Sequence, residues 1–172
     1  MPTKERILQK MSELADKLHY TYHNLSHLAR AMYCKKEKGH SNYTNDAMAT
    51  LGDAVLKLIW SEYFFNQGMD KDEITEKKAN VENNGTLKNL CDLIGAQEYA
   101  YNDLYFASEA PQSRRLPHRD HDFYIEAIIA AIYRDRGLTY TRAWVLGFWG
   151  DHPEAICPVP CKKRQNGAKK RG

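Results

Sequence analysis

The sequence predicts an all-α fold built on two central helices. Residues 50–65, TLGDAVLKLIWSEYFF, carry apolar side chains on nearly every side of a helix, and so do residues 122–137, DFYIEAIIAAIYRDRG. A helix that is apolar all round is normally buried. The alternation of apolar and polar residues that is typical of half-buried strands is almost absent. At 172 residues, the chain is long enough for one domain with a substantial core.

Seven helical segments are predicted along the chain, joined by polar loops. They span residues 3–18, 25–33, 45–65, 72–82, 86–94, 122–137 and 139–149. Asn24 or Ser26 is placed to cap the second segment, and Asp72 suits the start of the fourth. Gly95 and Gly137 are placed to end helices, because glycine readily adopts the backbone conformation found there.

The last 22 residues differ in composition from the rest of the chain. We expect a helical domain over residues 1–150 and a flexible, Pro-rich and basic tail over residues 151–172. The basic residues of the tail are Lys162, Lys163, Arg164, Lys169, Lys170 and Arg171. Such a segment is attracted to phosphates. The alternative is a tail that only aids solubility or is not native to the protein.

The composition favours an intracellular protein. No run of eighteen apolar residues is present, and the first eighteen residues lack the apolar stretch of a signal peptide. We therefore expect a cytoplasmic location. The four cysteines are expected to be reduced thiols. A zinc site at Cys157 and Cys161 with His152 is the alternative, although zinc sites usually show two close ligand pairs.

Both central helices carry carboxylates near their starts. Asp46 and Asp53 belong to the first, whereas Asp122 and Glu126 lie four residues apart on one face of the second. If the two helix starts meet, the carboxylates converge, and a cation must neutralise them. Oxygen ligands of this kind suit Mg²⁺ or Mn²⁺. The alternative is that each acid only caps its own helix or forms an ion pair within it.

Three segments together resemble the ribonuclease III domain family. LGDAVLKLIWSEYFF resembles its signature helix, NNGTLKNLCDLIGAQEY a following helix, and EAIIAAIYRDRG the helix that carries its last acid. The resemblance extends over about residues 18–149, with the motifs in the right order. In stopping before a double-stranded-RNA-binding domain, the chain resembles the short Mini-III members of the family.

This resemblance implies a helical homodimer that cleaves double-stranded RNA with Mg²⁺ and buries its signature helix at the dimer interface. Asp53 and Glu126 match two of the four acids that hold the metal in the family. The other two acids are replaced by Ala49 and Phe123. Asp46 is a further catalytic candidate at the first acidic position of the motif.

Other acids are candidate replacements for the two that are missing. Asp122 is one residue before the vacant position at Phe123 and shares a helical face with Glu126, which makes it a candidate metal ligand. Asp72 or Glu73 can supply a further acid from the next helix. The candidate RNA contacts are the basic pair Arg114 and Arg115 and the six basic residues of the tail.

Three functions remain open on the sequence alone. The first is a metal-dependent endoribonuclease with an incomplete carboxylate set. The second is a catalytically degenerate dimer that binds RNA or the ribosome, which the replacements Ala49 and Phe123 favour. The third is a helical dimer without an RNA role.

Overall fold

The computed structural model describes residues 1–39, 41–110 and 123–159, and these residues form a helical fold. The helices are α1 (Lys4–Lys17), α2 (Ser26–Met32), α3 (Asp46–Asn66), α4 (Lys71–Glu82), α5 (Asn84–Ile94) and α6 (Phe123–Asp151). Short 3₁₀ helices span Ala96–Tyr99, Ala107–Glu109 and Pro153–Ala155. The described residues contain isolated β-bridges but no strand. The all-α prediction is confirmed.

Helix α6 forms the centre of the core together with α3. All six side chains from Ala127 to Ile132 are fully buried. Gly137 interrupts the helix with φ 81° and ψ 176°, a conformation that a side chain would disfavour. The sequence prediction that Gly137 ends a helix is therefore confirmed. The second predicted helix, over residues 139–149, follows directly, so that both belong to α6.

Asp135 of α6 fixes the loop between α1 and α2. Its carboxylate accepts the amides of His23 at 2.8 Å and Asn24 at 2.9 Å, and also the hydroxyl of Tyr20. Burial disfavours the charge, but these hydrogen bonds outweigh it and lower the pKa of Asp135. One carboxylate thus ties two distant parts of the chain together.

At the start of α2, the N-cap position and the side chain that supports the first turn belong to two neighbouring residues. Leu25 is the N-cap and makes no side-chain capping bond. The Asn24 side chain accepts the amide of Ser26 at 2.9 Å. Asn24 therefore supports the first turn from just outside the helix, close to the position that the sequence predicted.

The junction between α4 and α5 is held by side-chain hydrogen bonds. Asn83 caps α5 by accepting the amide of Thr86, and its amide group donates to the carbonyl of Cys157 at 2.7 Å. Asn89 donates to the carbonyl of Ala155 at 3.0 Å. The segment that follows α6 therefore packs on this junction at least as far as Cys157. The division of the chain at residue 150 stays a prediction.

Helix α3 is apolar on two faces, but the single chain buries only one. Val55, Ile59 and Trp60 are among its buried side chains. Leu51, Leu58 and Phe65 repeat every seven residues and are exposed, Leu58 by 50% and Phe65 by 70%. The second apolar face noted in the sequence therefore forms a stripe at the surface.

Two smaller expectations concern membranes and cysteines. Within the described ranges, no helix is long and apolar enough to cross a lipid bilayer. Among the described residues, Cys34, Cys91 and Cys157 form no disulfide bond. Cys161 lies outside the described residues, so the zinc alternative stays untested.

Candidate metal and nuclease site

Helices α3 and α6 meet at Gly52 and Glu126. A Cβ atom added to Gly52 would lie 1.6 Å from the carbonyl oxygen of Glu126, closer than any two unbonded atoms can approach. Only glycine allows this contact between the two backbones. It places Asp53, the next residue of α3, beside the turn of α6 that carries Glu126. The sequence analysis raised the meeting of the two helix starts as a condition, and the backbones of α3 and α6 do meet at this pair of positions.

Asp53 is paired with a lysine one turn further along α3. The Lys57 ammonium donates a hydrogen bond to Oδ2 of Asp53 at 2.7 Å. This hydrogen bond raises the pKa of Lys57 against the effect of burial, and the negative charges of Asp53, Glu82 and Glu126 add to it. Three carboxylates from three helices therefore act on one ammonium group.

Glu82, the last residue of α4, is the third of these carboxylates. Its side chain is 14% exposed, and its Oε1 lies 3.9 Å from the Lys78 ammonium. Its Oε2 is shielded from solvent and has no hydrogen-bond partner. Burial raises the pKa of Glu82, Lys78 and Lys57 lower it, and the charge of Asp53 raises it further, so that the net shift is upward.

Asp46 lies in the first turn of α3, seven residues before Asp53. At about 1.5 Å per residue, the two positions are separated by roughly 10 Å along the helix. Oδ2 of Asp46 accepts the amide of Tyr43 at 2.7 Å. The structure therefore shows Asp46 supporting the loop before α3, and its catalytic role stays a prediction. Ala49, between them, is buried.

The acids at the start of α4 are used in capping. Asp70 accepts the amides of Asp72 and Glu73, and Glu73 in turn accepts the amide of Asp70 at 2.9 Å. This reciprocal pair is a capping box. The acid of α4 whose pKa is raised by the charge of Asp53 is Glu82, at the opposite end of the helix.

Several predicted site residues lie outside the described ranges. Phe123 begins α6, and Asp122 precedes it without a description. Nor does the structure describe the predicted RNA contacts, which are Arg114, Arg115, Lys162, Lys163, Arg164, Lys169, Lys170 and Arg171. Their roles stay predictions.

Comparison with known proteins places this geometry in a family. The family model described as Ribonuclease III domain matches residues 46–137 of this chain. These residues contain Asp53, Glu82 and Glu126. The chain belongs to the ribonuclease III domain family. This confirms the resemblance noted in the sequence.

Relatives named Ribonuclease 3 support this membership. The protein of Campylobacter fetus is 31% identical over 133 residues, which cover 76% of this chain and 57% of that protein. The human protein is 29% identical over 145 residues, which cover 81% of this chain and 10% of that protein. The chain thus spans little more than half of the bacterial relative and a small part of the human one.

The fold is that of a ribonuclease III nuclease domain. A solved structure of this domain from Campylobacter jejuni matches with a TM-score of 0.66 at 20% identity, covering 83% of this chain and 99% of that one. That structure is described as flexible in a region involved in dimer formation. The likeness covers a larger share of the chain than the family match over residues 46–137 does.

The donor set suits a hard divalent cation, although it is sparse. Among the described residues, no group of three or more His, Cys, Asp or Glu side chains is close enough to hold a metal ion as it stands. Mg²⁺ keeps several water ligands and is often held by one or two carboxylates. The Asp53 and Glu126 carboxylates are therefore oxygen donors of the kind that Mg²⁺ or Mn²⁺ prefers, but they do not form a metal site with Glu82 as they stand.

Sequence reasoning missed Glu82 and Lys57. The spacing of Lys57 four residues after Asp53 is typical of a helical ion pair and was a usable signal. For Glu82 the sequence offered no signal, because its role depends on how the end of α4 packs against α3.

Proposed function

We propose that this chain is a metal-dependent endoribonuclease of the ribonuclease III type, which cleaves double-stranded or structured RNA during RNA processing. The observation that carries the proposal is the backbone contact between Gly52 and Glu126, which sets Asp53 beside Glu126. This contact supports a site in which carboxylates from two different helices act together.

Asp53 and Glu126 would hold Mg²⁺ or Mn²⁺ in this enzyme. The bound ion would activate a water molecule and stabilise the phosphoryl group during an in-line displacement. Lys57 would have to leave Asp53 when the ion binds, and its half-exposed side chain can turn to solvent. There its ammonium is available to an RNA phosphate.

We infer that two copies of the chain associate through α3. Leu51, Leu58 and Phe65 form a seven-residue repeat on the exposed face of this helix. A stripe with this spacing is suited to packing against an identical helix in a two-fold dimer. The related nuclease domain from Campylobacter jejuni is described as having a region involved in dimer formation.

RNA contacts would come from basic residues in other parts of the chain. Double-stranded RNA is recognised mainly through its shape and backbone, so that loosely held basic side chains suffice. Arg114, Arg115 and the basic tail are proposed for this role. Lys36 and Lys38 belong to the loop between α2 and α3 and line an open groove together with Lys35.

The alternative function is a non-cleaving RNA-binding protein. The buried Ala49 stands where the family has an acid, and the Lys57 ammonium already neutralises Asp53. A protein of this kind would bind RNA with strong dependence on salt but no dependence on Mg²⁺.

Cleavage of a labelled RNA duplex in Mg²⁺ and in Mn²⁺ tests the proposal. We expect the wild type to cleave, and Asp53→Asn and Glu126→Gln each to abolish cleavage while leaving the fold intact by circular dichroism. Salt-dependent binding without cleavage in either metal, unchanged in both variants, would overturn the nuclease and support the alternative.

A further inference from the structure

Three asparagines on α4 and α5 bind the backbone of the segment 153–159, which follows α6. Their hydrogen bonds join Asn89 to the carbonyl of Ala155 at 3.0 Å, Asn83 to the carbonyl of Cys157 at 2.7 Å, and Oδ1 of Asn80 to the amide of Val159 at 3.0 Å. Asn80 lies about one turn before Asn83, on the side away from α5. At Val159 the segment is therefore running along α4 towards the start of that helix.

The face of α4 that lies ahead of Val159 is acidic. Glu76 and Glu73 come four and seven residues before Asn80 and so share its face, with Asp72 beside them. All three acids are exposed. Lys77 is the basic residue at the edge of this face. The other two lysines of α4, Lys71 and Lys78, fall on the opposite side of the helix at about 100° per residue.

The chain beyond Val159 carries the opposite charge. Lys162, Lys163 and Arg164 follow it within five residues. Four residues of extended chain span about 13 Å, which would take Lys163 from the level of Asn80 to that of Asp72, about 12 Å away along α4. Val159 itself precedes a proline, which favours extended backbone at this residue.

We propose that Lys162, Lys163 and Arg164 bind the acidic face of α4 in the free protein, as a continuation of the contact made by the segment 153–159. Ion pairs at an exposed surface are individually weak. The attachment of the chain at Val159 makes this association intramolecular, however, which raises the effective concentration of the basic residues at the helix. The inference goes beyond the proposed function and holds whether or not the chain cleaves RNA.

This docking would regulate the access of polyanions to the basic residues. The three residues are also among the proposed RNA contacts, and they cannot bind α4 and an RNA backbone at once. The acids of α4 would therefore compete with RNA phosphates for them. A duplex carries a much denser row of charges than α4 does, so that it would displace the basic residues from the helix.

The steady-state proton–nitrogen NOE of the backbone amides in the full chain measures this docking, because it reports how far each residue is restricted on the ps–ns timescale. The chain contains its own control, since Lys169, Lys170 and Arg171 repeat the Lys-Lys-Arg sequence beyond the reach of α4. At about 0.05 M NaCl we expect a higher NOE for residues 162–164 than for residues 169–171. At about 0.5 M NaCl the difference should disappear, because salt screens exposed charges.

A double substitution identifies the partner of the basic residues. Asp72→Asn with Glu76→Gln should remove the NOE difference at low salt. Glu13→Gln with Asp16→Asn makes the same change of charge at exposed positions of α1 and should leave the difference intact. Circular dichroism checks that both variants keep the wild-type fold.

Two results would overturn the inference. Equal NOE values for residues 162–164 and 169–171 in the wild type at low salt would mean that the first group is not held. A difference that persists at high salt and in the α4 variant would mean that something other than the acids of α4 holds it. Neither result depends on RNA or a metal ion, so that the proposed nuclease would stand in both cases.

Discussion

Gly52 lies directly against the main-chain carbonyl of Glu126, and this contact joins the packing of the fold to its candidate chemistry. A Cβ atom at position 52 would be 1.6 Å from the carbonyl oxygen. The contact sets the distance between α3 and α6 at the level of Asp53. The glycine before Asp53 is therefore needed for two reasons, since it allows the core to close and brings the backbone that precedes Asp53 against the turn that carries Glu126.

Substitution of Gly52 by alanine should destabilise the protein strongly. The obstructing atom belongs to a helix backbone, so that α3 and α6 must move apart. We expect a loss of about 3 kcal/mol in the free energy of unfolding, at the upper end for an overpacked core. Urea denaturation measures this loss.

Gly147→Ala is the matched control for this change. Like Gly52 in α3, Gly147 lies inside a helix, in this case α6. A Cβ atom added at Gly147 would meet nothing within 4 Å. Alanine is favoured over glycine inside a helix by roughly 1 kcal/mol, so that this variant should be more stable than the wild type. Equal effects of the two substitutions would contradict the role given to the contact at Gly52.

Asp135→Asn should loosen the loop between α1 and α2. An asparagine keeps one acceptor oxygen and turns an NH₂ group towards the donors from Tyr20, His23 and Asn24. The amides of His23 and Asn24 are exposed, so water can replace part of the loss, and the net cost of weakening these hydrogen bonds is about 1 kcal/mol. Urea denaturation at pH 7 should show a loss of this size, whereas Asp16→Asn, at an exposed position of α1, should have little effect.

The destabilisation by Asp135→Asn should depend on pH. The pKa of Asp135 is lowered in the folded protein, so its stabilising contribution is present above the ordinary value of about 3.9 and is lost as the pH falls below it. The difference between wild type and variant should therefore shrink below about pH 4. A difference that is constant from pH 7 to pH 3 would show that the charge of Asp135 does not matter.

Leu58→Glu should shift the protein from dimer to monomer. Leu58 is the central residue of the exposed α3 stripe, and a dimer would bury a charge at this position without a partner. Light scattering after size exclusion should give a dimer mass for the wild type and a monomer mass for the variant. Leu104→Glu, at an exposed leucine outside α3, is the control and should remain dimeric.

The sequence predicted the elements that depend on local pattern. The helical segments, the break at Gly137 and the second apolar face of α3 follow from hydrophobic spacing and glycine positions. These features are set by residues close together in the chain. The meeting of the two helix starts was only a condition on the sequence, and the contact between Gly52 and Glu126 fulfils it for the backbone.

What the sequence could not predict depends on packing between distant segments. The need for glycine at position 52 cannot be seen in the sequence, because it depends on which backbone crosses α3 there. The partners of Asp135 come from residues more than 100 positions away. Glu82 looked like one more acid on a polar helix, and only its position against Asp53 and Lys57 distinguishes it from the acids that cap the start of α4.

Glu82→Gln should stabilise the metal-free protein at neutral pH. The pKa of Glu82 is raised by burial, so that keeping it ionised costs free energy in the folded state. A group with a raised folded pKa stabilises the fold fully below its unfolded pKa, about 4.3 for glutamate, and this contribution is lost as the pH rises through the folded pKa. Glutamine removes that loss. In EDTA at pH 7, the Tm of Glu82→Gln should therefore exceed that of the wild type.

The same measurement at low pH gives the control for this prediction. Near pH 4 or below, Glu82 is protonated in both folded and unfolded chains, and the advantage of glutamine should disappear. Glu76→Gln should change the Tm little at either pH, because its side chain is exposed. A lower Tm for Glu82→Gln in EDTA at pH 7 would contradict this prediction, because it would mean that the ionised Glu82 side chain stabilises the fold despite its raised pKa.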